Sequence, residues 1–405
     1  MCFKISLIGV SGEGLSAQSQ ALLEKAEKII CAKGLLSRFK LPDMKKVLTY
    51  QKLEEALFLL KEAQKEGYPV AFLASGDPLF FGIGRLLLKH FGPEVIEIFP
   101  ALSSVQLAAS RFKIPWDDFF FVSLHGASRK KRSFLLEEIP GLLRVYGKVG
   151  VFTDPVNTPS RLAAYLKDRV LKEDLTVFVA ERLGFPEEKL YQGTAAEFAA
   201  KEFAHPNLVF LVYSRPKEAF FGLSDREIAH PEGLLTKEEV RAVVVHKLRL
   251  PEQGVFWDVG AGAGGISCEV AALKPLLRVF SVEKEKARFE LLCQNRKHLG
   301  LLNLEPVKGF APQVLFDLPS PERVFIGGSG GKLLEILELC CQRTRGRIVA
   351  TFTLLENFSL ALDFFKSRGM LKEVIELQVS RSKALSAGQF LKALNPVFVV
   401  VAEPC

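Results

Sequence analysis

Apolar runs, glycine-broken loops and helical spacings recur in the same order along most of the chain. At the N-terminus, KISLIGVSGEG from Lys4 to Gly14 predicts a strand running into a glycine turn, and the alanine- and leucine-rich stretch after it predicts a helix through Ile30. Leu53, Ala56, Leu57, Leu60 and Ala63 share one face of a helix predicted from Lys52 to Lys65. Pro69–Ala74 predicts a buried strand that ends in Ser75-Gly76-Asp77-Pro78. Val95–Phe99 predicts another, ending in Pro100-Ala101-Leu102-Ser103-Ser104 ahead of a helix to Arg111. Strand, loop and helix in alternation imply a parallel α/β sheet with its ligand side at the strand C-ends. The order restarts after Pro115-Trp116-Asp117-Asp118, with strands predicted at Phe119–Leu124, Lys148–Thr153, Leu175–Ala180 and Leu208–Tyr213. Residues 1–214 therefore read as one domain with subdomains of about 1–115 and 116–214. His125, at a strand end, is placed either to touch a ligand or to be a buried, satisfied histidine.

Residues 215–235 carry two prolines, two glycines and mixed charge without a sustained period, and read as a linker. Thr236-Lys237-Glu238-Glu239 has the form of a capping box and opens a third α/β unit, residues 236–405. Its strands fall at Arg323–Ile326, before the loop Gly327-Gly328-Ser329-Gly330-Gly331, at Arg347–Thr353, and in a last pair near Val374–Val379 and Pro396–Ala402. A final antiparallel pair on a parallel sheet is the pattern of Rossmann-like methyltransferases rather than of dehydrogenases.

The densest chemistry lies in that unit, in GVFWDVGAGAGGISCEVA from Gly254 to Ala271. A β-leaning run closes on Asp258 and breaks into glycines at 260, 262, 264 and 265; the spacing of Ile266, Val270 and Leu273 is then helical. Such a turn leaves backbone N–H groups and the positive end of a helix facing a cleft, and glycine lets a ligand approach the backbone. Glu283 ends the next apolar run 21 positions after Gly262, the usual distance for a carboxylate that accepts from a ribose. The pattern suits a dinucleotide or S-adenosylmethionine. Asp258 favours the latter, because an acid at the strand end could hold a cationic amino acid moiety but would repel a pyrophosphate. The plain alternative is a tight βα turn with an ordinary surface glutamate.

With 405 residues, 48% of them apolar and 33 of them phenylalanine, the chain has material for more than one core. No apolar run reaches the ~18 residues that span a bilayer, and the N-terminus does not read as a signal peptide. Seven cysteines without a C-x-x-C pair suggest neither a zinc site nor a disulfide framework, so no metal is expected and the compartment reads as a reducing cytoplasm. The net charge of +8 suits a polyanionic partner. Arg129-Lys130-Lys131-Arg132, the one dense basic cluster, reads either as a solvated loop or as a source of substrate attraction. There is no aromatic–basic ladder of a nucleic-acid module.

Two resemblances meet in this chain. Leu235–Arg241, Val259–Gly265, Val324–Gly331 and Asn395-Pro396-Val397-Phe398 resemble the carbon-15 methyltransferase and decarboxylase family of corrin biosynthesis. Ala74–Gly84, Leu102–Ala108, Ile114–Asp118 and Ser123–Gly126 resemble the carbon-5 tetrapyrrole methylases of the same pathway. The order of the two halves is that of the fused C5,15-methyltransferase family of cobalamin (vitamin B12) synthesis. The resemblance implies an N-terminal tetrapyrrole methylase fold of two α/β subdomains, followed by a Rossmann-like S-adenosylmethionine-dependent methyltransferase domain. It also implies one S-adenosyl-L-methionine site per domain and a precorrin or cobalt-precorrin substrate. Methylation at two meso carbons and loss of carbon dioxide from the ring C acetate would follow, in a homo-oligomer that needs neither nucleic acid nor membrane.

Carried onto this sequence, the C-terminal donor site would use Gly260, Ala261, Gly262, Ala263 and Gly264 for the amino acid part and Glu283 for the ribose. Ala311 would lie at the adenine and Thr236 near the methionine end. The N-terminal donor would lie against Gly76, Asp77 and Pro78 and against Ser103 and Ser104, although these residues also suit a plain turn and a helix cap. Glu269, one turn into the glycine-loop helix, is expected either to face the site or to be an ordinary helix glutamate. Arg381 is a candidate holder of substrate carboxylates, as are the backbone N–H groups of the Gly327–Gly331 loop. Three positions depart from the families' patterns. The first loop reads Gly9-Val10-Ser11-Gly12-Glu13-Gly14 where Gly-x-Gly-Pro-Gly is usual; Ala101 stands where glycine is expected; and Phe310 replaces an aspartate before Ala311-Pro312, offering a ring to stack on the base. The rival readings are an RNA methyltransferase or nicotinamide-dependent oxidoreductase on the same nucleotide-binding fold, and a tetrapyrrole-binding protein with one inactive half.

Overall fold

The computed structural model describes residues 3–12, 14–36, 46–125, 134–231, 235–386 and 388–403. The basic cluster Arg129–Arg132, with Gly126 and Glu13, lies outside the described residues. The chain divides into two compact units, residues 1–134 with 148–212, and residues 135–147 with 213–405.

The first unit holds two five-stranded sheets. One is built from β1 (Ile5–Val10), β2 (Lys28–Ala32), β3 (Val47–Tyr50), β4 (Val70–Ser75) and β5 (Ile96–Phe99), all parallel, in the order β3-β2-β4-β1-β5. Its central strands are continuous apolar runs because helices cover both faces; Val70 to Leu73 are all buried. The helix expected through Ile30 stops at Lys25, and Lys28–Ala32 pairs as a strand between β3 and β4 instead. Ile29, Ile30 and Cys31 have no exposed surface, and β-branched residues suit that doubly covered position.

The second sheet comprises β6 (Phe120–Ser123), β7 (Lys148–Phe152), β8 (Leu175–Glu181), β9 (Lys189–Gly193) and β10 (Asn207–Tyr213), ordered β6-β7-β10-β8-β9. β6 runs parallel to β7 and β10 antiparallel to it, which brings the C-ends of β6 and β7 beside the start of β10.

The second unit has one seven-stranded sheet: β11 (Gly254–Val259), β12 (Leu277–Glu283), β13 (Leu304–Lys308), β14 (Arg323–Ile326), β15 (Ile348–Phe352), β16 (Leu371–Leu377) and β19 (Val397–Ala402). Its order is β13-β12-β11-β14-β15-β19-β16, with β19 antiparallel to both of its neighbours. The order reverses at β11, so the loop after β11 opens at a topological switch point. β17 (Ser380–Leu385) and β18 (Gly388–Ala393) form a separate exposed hairpin.

Two boundaries differ from the sequence reading. The segment 135–147, expected within the second subdomain, belongs to the second unit. There its helix Ile139–Tyr146 buries Ile139, Leu142 and Leu143, and Gly141 lies so close to the carbonyl of Pro275 that no side chain would fit. Arg144, fully buried, donates through Nη1 to the carbonyls of Ala271 (3.3 Å) and Ala272 (3.2 Å), in the last turn of the helix Gly265–Leu273. A cation is favourable at that negative helix end, although burial pulls the Arg144 guanidinium down to about 10. The stretch 215–235 is likewise no bare linker, for Leu223 and Ile228 are core residues of the second unit.

Candidate functional site

In the second unit, the loop Gly260–Gly264 joins β11 to the helix Gly265–Leu273. The N–H groups of Gly260 and Ala261 donate to the carbonyl of Val282 at 3.0 and 2.9 Å, tying the loop to β12. Gly262 donates from its N–H to Glu283 Oε2 at 2.8 Å, while Glu283 Oε1 accepts from the N–H of Glu285 at 2.8 Å. Glu283 is therefore fixed beside the loop, and no protein atom lies within 4 Å of where a side chain at Gly262 would begin. Gly260 has φ +74° and faces the backbone of Gly328, so the two glycine loops meet at the C-ends of β11 and β14. Asn295, buried in the helix Lys286–Leu299, donates to the carbonyls of Ala263 and Ala229, both at 2.9 Å, and accepts from the N–H of Ala229. It clamps the far end of the loop.

Asp258 lies beneath this cradle with no exposed surface. Ser267 Oγ donates to its Oδ2, Ser281 Oγ donates to Ser267 at 2.7 Å, and Oδ1 has no partner. Burial raises the Asp258 carboxyl from 3.8 to about 7, only partly opposed by the bonds from Ser267. The folded value exceeds the unfolded one, so the group's contribution to stability is complete below about pH 3.8 and is lost as pH rises to about 7. Chemical denaturation should therefore show the wild type losing stability relative to Asp258→Asn across that window and not beyond it. A difference that stays constant from pH 4 to 8 would refute this assignment.

At the rim, Lys284 Nζ stands 5.5 Å from the centre of the Phe310 ring, which is 65% exposed, and close against Gly330. Ala311 follows Phe310 at this same edge and packs on the core that contains Val282 and Leu315.

In the first unit a cavity of about 700 Å³ is lined on one side by Gly76, Asp77, Ser103 and Ser104, and on the other by residues of the second sheet. Gly76 has φ +65°, and Gly9 touches both Gly76 and Ala101, so three strand ends converge there. Asp77 Oδ1 accepts from the N–H of Leu79 at 2.8 Å. Ser103 caps the helix Ser104–Phe112 through Gln106. Pro78 is not among the lining residues; its carbonyl accepts from the N–H of Gly84 at 2.8 Å and sets the turn.

A family model described as precorrin methyltransferase domain matches residues 227–403, and one described as tetrapyrrole (corrin/porphyrin) methylases matches residues 5–199. A precorrin-6Y C(5,15)-methyltransferase (decarboxylating) of Sinorhizobium sp is 30% identical over 341 residues, which cover 82% of this chain and 79% of its own. The chain belongs to the precorrin-6Y C5,15-methyltransferase family. A cobalt-precorrin-6B C(15)-methyltransferase (decarboxylating) of Salmonella typhimurium is 36% identical over 172 residues, 42% of this chain and 88% of that one. The crystal structure of a precorrin-6Y C5,15-methyltransferase from Geobacter metallireducens covers 46% of this chain and 97% of its own, at 37% identity and a TM-score of 0.44. No described helix is long and apolar enough to cross a membrane.

Of the residues expected to serve this methyltransferase chemistry, Glu269 and Arg381 have other work. Glu269 is 2% exposed; its Oε1 accepts from the N–H of Leu223 (3.0 Å) and Nε of Arg241 (3.3 Å), and its Oε2 from the N–H of Gly222 (3.1 Å). It holds down the segment before the helix Glu238–Leu248 rather than facing the cleft. Arg381 spends its fork on Glu239 (2.9 and 2.7 Å) and Asp225 (2.8 Å), which raise its guanidinium further and tie β17 to that segment. Thr236 forms no capping box: Lys237 is the N-cap residue, and the Thr236 carbonyl accepts from Arg241 Nη1 at 2.7 Å. Arg241 and Asn295, which organise this region, have no motif to announce them. An arginine or asparagine inside a helical period reads as surface.

Proposed function

We propose that this chain methylates a precorrin macrocycle at carbons 5 and 15 and removes the ring C acetate carboxyl as carbon dioxide, using S-adenosylmethionine in each unit. The observation that carries the reading is the cradle of Gly260–Gly264 with Glu283 fixed 2.8 Å from the N–H of Gly262. Asp258 and Gly262 fit the donor: an orphaned, buried carboxyl oxygen beneath the loop matches a ligand ammonium, and at Gly262 no protein atom fills the space a side chain would take, which leaves the backbone open to it. Bound, the donor supplies an electrophilic methyl group on a sulfonium.

In the second unit Gly260 to Gly264 would hold the amino acid part, Glu283 the ribose hydroxyls, and Ala311 with Phe310 the adenine; Thr236 would lie near the methionine end. In the first unit Gly76 and Asp77 with Ser103 and Ser104 would hold the second donor, with Pro78 shaping the turn. A conjugated macrocycle can carry the electrons released by decarboxylation to a meso carbon, so the protein's part is mainly to position the reactants and exclude water. The net charge of +8 suits a substrate rimmed with carboxylates. The active form is taken to be a homo-oligomer, as the resemblance implies.

Mass spectrometry of the product made from purified precursor should show two added methyl groups and the loss of one carbon dioxide. Calorimetry should count two sites for S-adenosylhomocysteine and none for NADH. A single methyl group and a single site would leave one half inactive, and no methyl transfer to a precorrin would sink the reading.

A further inference from the structure

The first-unit cavity holds titratable side chains that the donor site does not use. Of those lining it, Asp77 is engaged in its own turn, and burial, followed by Cys31, pushes the Tyr50 phenol up to about 12, so it stays protonated. Asp154 is partly buried, which raises its carboxyl. The N–H groups of Asn157 and Val156, the Asn157 amide and the nearby His125 outweigh that and hold it below the usual carboxylate range, making it a poor proton acceptor. Two imidazoles remain, His125 and His205.

Hydrogen bonding separates their roles. Asn207 Oδ1 accepts from Thr153 Oγ1, and its Nδ2 donates to the carbonyl of Ala204 at 3.0 Å, which fixes the orientation of the amide. The same Nδ2 lies 3.3 Å from His205 Nδ1, so that nitrogen accepts and the proton of neutral His205 sits on Nε2. His205 is thus set to donate, as a substrate carboxylate requires. His125 follows Leu124, whose N–H donates to the carbonyl of Phe152 at 2.9 Å; this places it beside the loop that carries Asp154, and both side chains line the same cavity.

We propose that His125 is the proton acceptor for methyl transfer in the first unit, with Asp154 as its positioning carboxylate and His205 as a donor to an acidic substituent of the macrocycle. The proposal rests on the C5,15-methyltransferase reading above. A meso carbon bears one hydrogen. When it attacks the sulfonium methyl, a carbon–carbon bond forms, the carbon–sulfur bond breaks and its electron pair stays on sulfur. The macrocycle is left cationic with hydrogen and methyl on the same carbon. Transfer of that proton to the imidazole returns the bonding pair to the conjugated ring. One methyl group is gained, one proton is lost, and S-adenosylhomocysteine leaves.

The test uses the full chain with His125→Asn, and with His125→Gln as a second variant in case the first folds poorly. The rate of carbon-5 methylation should fall about 100-fold or more, the usual span of a general base, while carbon-15 methylation and carbon dioxide release continue. Added imidazole should restore part of the loss. A readout independent of turnover is deuterium exchange at carbon 5 of the precursor in D2O with S-adenosylhomocysteine bound; it should slow in both variants, with two S-adenosylhomocysteine sites still counted by calorimetry. Carbon-5 methylation within threefold of wild type, or a loss that appears in His205→Asn and not in His125→Asn, would overturn the assignment. A wild-type chain that leaves precorrins untouched would instead sink the functional reading on which it rests.

Discussion

Gly260→Ala is expected to abolish one of the two S-adenosylhomocysteine binding events and leave the other intact. A β-carbon at this position would lie 2.5 Å from the carbonyl oxygen of Gly328 and 2.7 Å from its N and Cα, all backbone atoms of the loop after β14. No rotamer relieves such a contact, so one glycine loop must move. Alanine would also sit at φ +74°, at a cost of roughly 1–2 kcal/mol. Gly260 and Ala261 are the residues whose N–H groups bond Val282, and displacing them pulls Gly262 off Glu283. The expected loss at the second-unit site is about 100-fold or more in affinity, near 2.7 kcal/mol, together with carbon-15 methylation. Gly262→Ala separates strain from collision, because its φ of +59° is also left-handed but nothing in the protein lies within 4 Å of the new methyl group. That variant should carry the strain alone, melting below wild type but above Gly260→Ala, and bind the donor weakly. Two full-affinity sites in Gly260→Ala would show that the cradle is not where the donor binds.

Legibility in the sequence followed burial. β4, β7, β8, β11 and β12 stand out because a strand covered on both faces is a nearly continuous apolar run. β2 does not, since it follows an alanine- and leucine-rich helix after only two residues and its β-branched pair, Ile29-Ile30, is too short a run to show a period of its own. The hairpin β17–β18 has no buried side to impose a period; Leu385 and Leu391 are exposed on it. The glycine cradle and Glu283 could be found by spacing because a βα turn fixes both in one local unit. The helix Ile139–Tyr146 is plainly apolar, but an apolar face does not say which core will cover it, and the second unit does so. The capping box failed for a similar reason: Arg241 engages the Thr236 carbonyl from five residues along, and the cap moves to Lys237.

Arg241→Met should lower the unfolding free energy of the second unit by roughly 3–5 kcal/mol, as expected when one partner of a buried ion pair is removed. The Arg241 side chain has no exposed surface, and that of Glu269 only 3%. The guanidinium donates to Glu269, to Asp225 at 2.7 Å, and to the carbonyls of Thr236 and Leu223. Methionine fills a similar volume but satisfies none of these acceptors. Asp225 is 21% exposed and keeps Arg381, so its loss is modest; Glu269 would be left as an uncompensated buried charge. Adding Glu269→Gln removes that charge and preserves an oxygen for one of the two N–H groups, Gly222 or Leu223. The double variant should therefore be more stable than Arg241→Met alone, and a urea-denaturation cycle on the full chain measures the coupling. If the two losses simply add, Glu269 does not depend on Arg241 for its charge, and the tie between the 222–241 segment and the glycine-loop helix lies elsewhere.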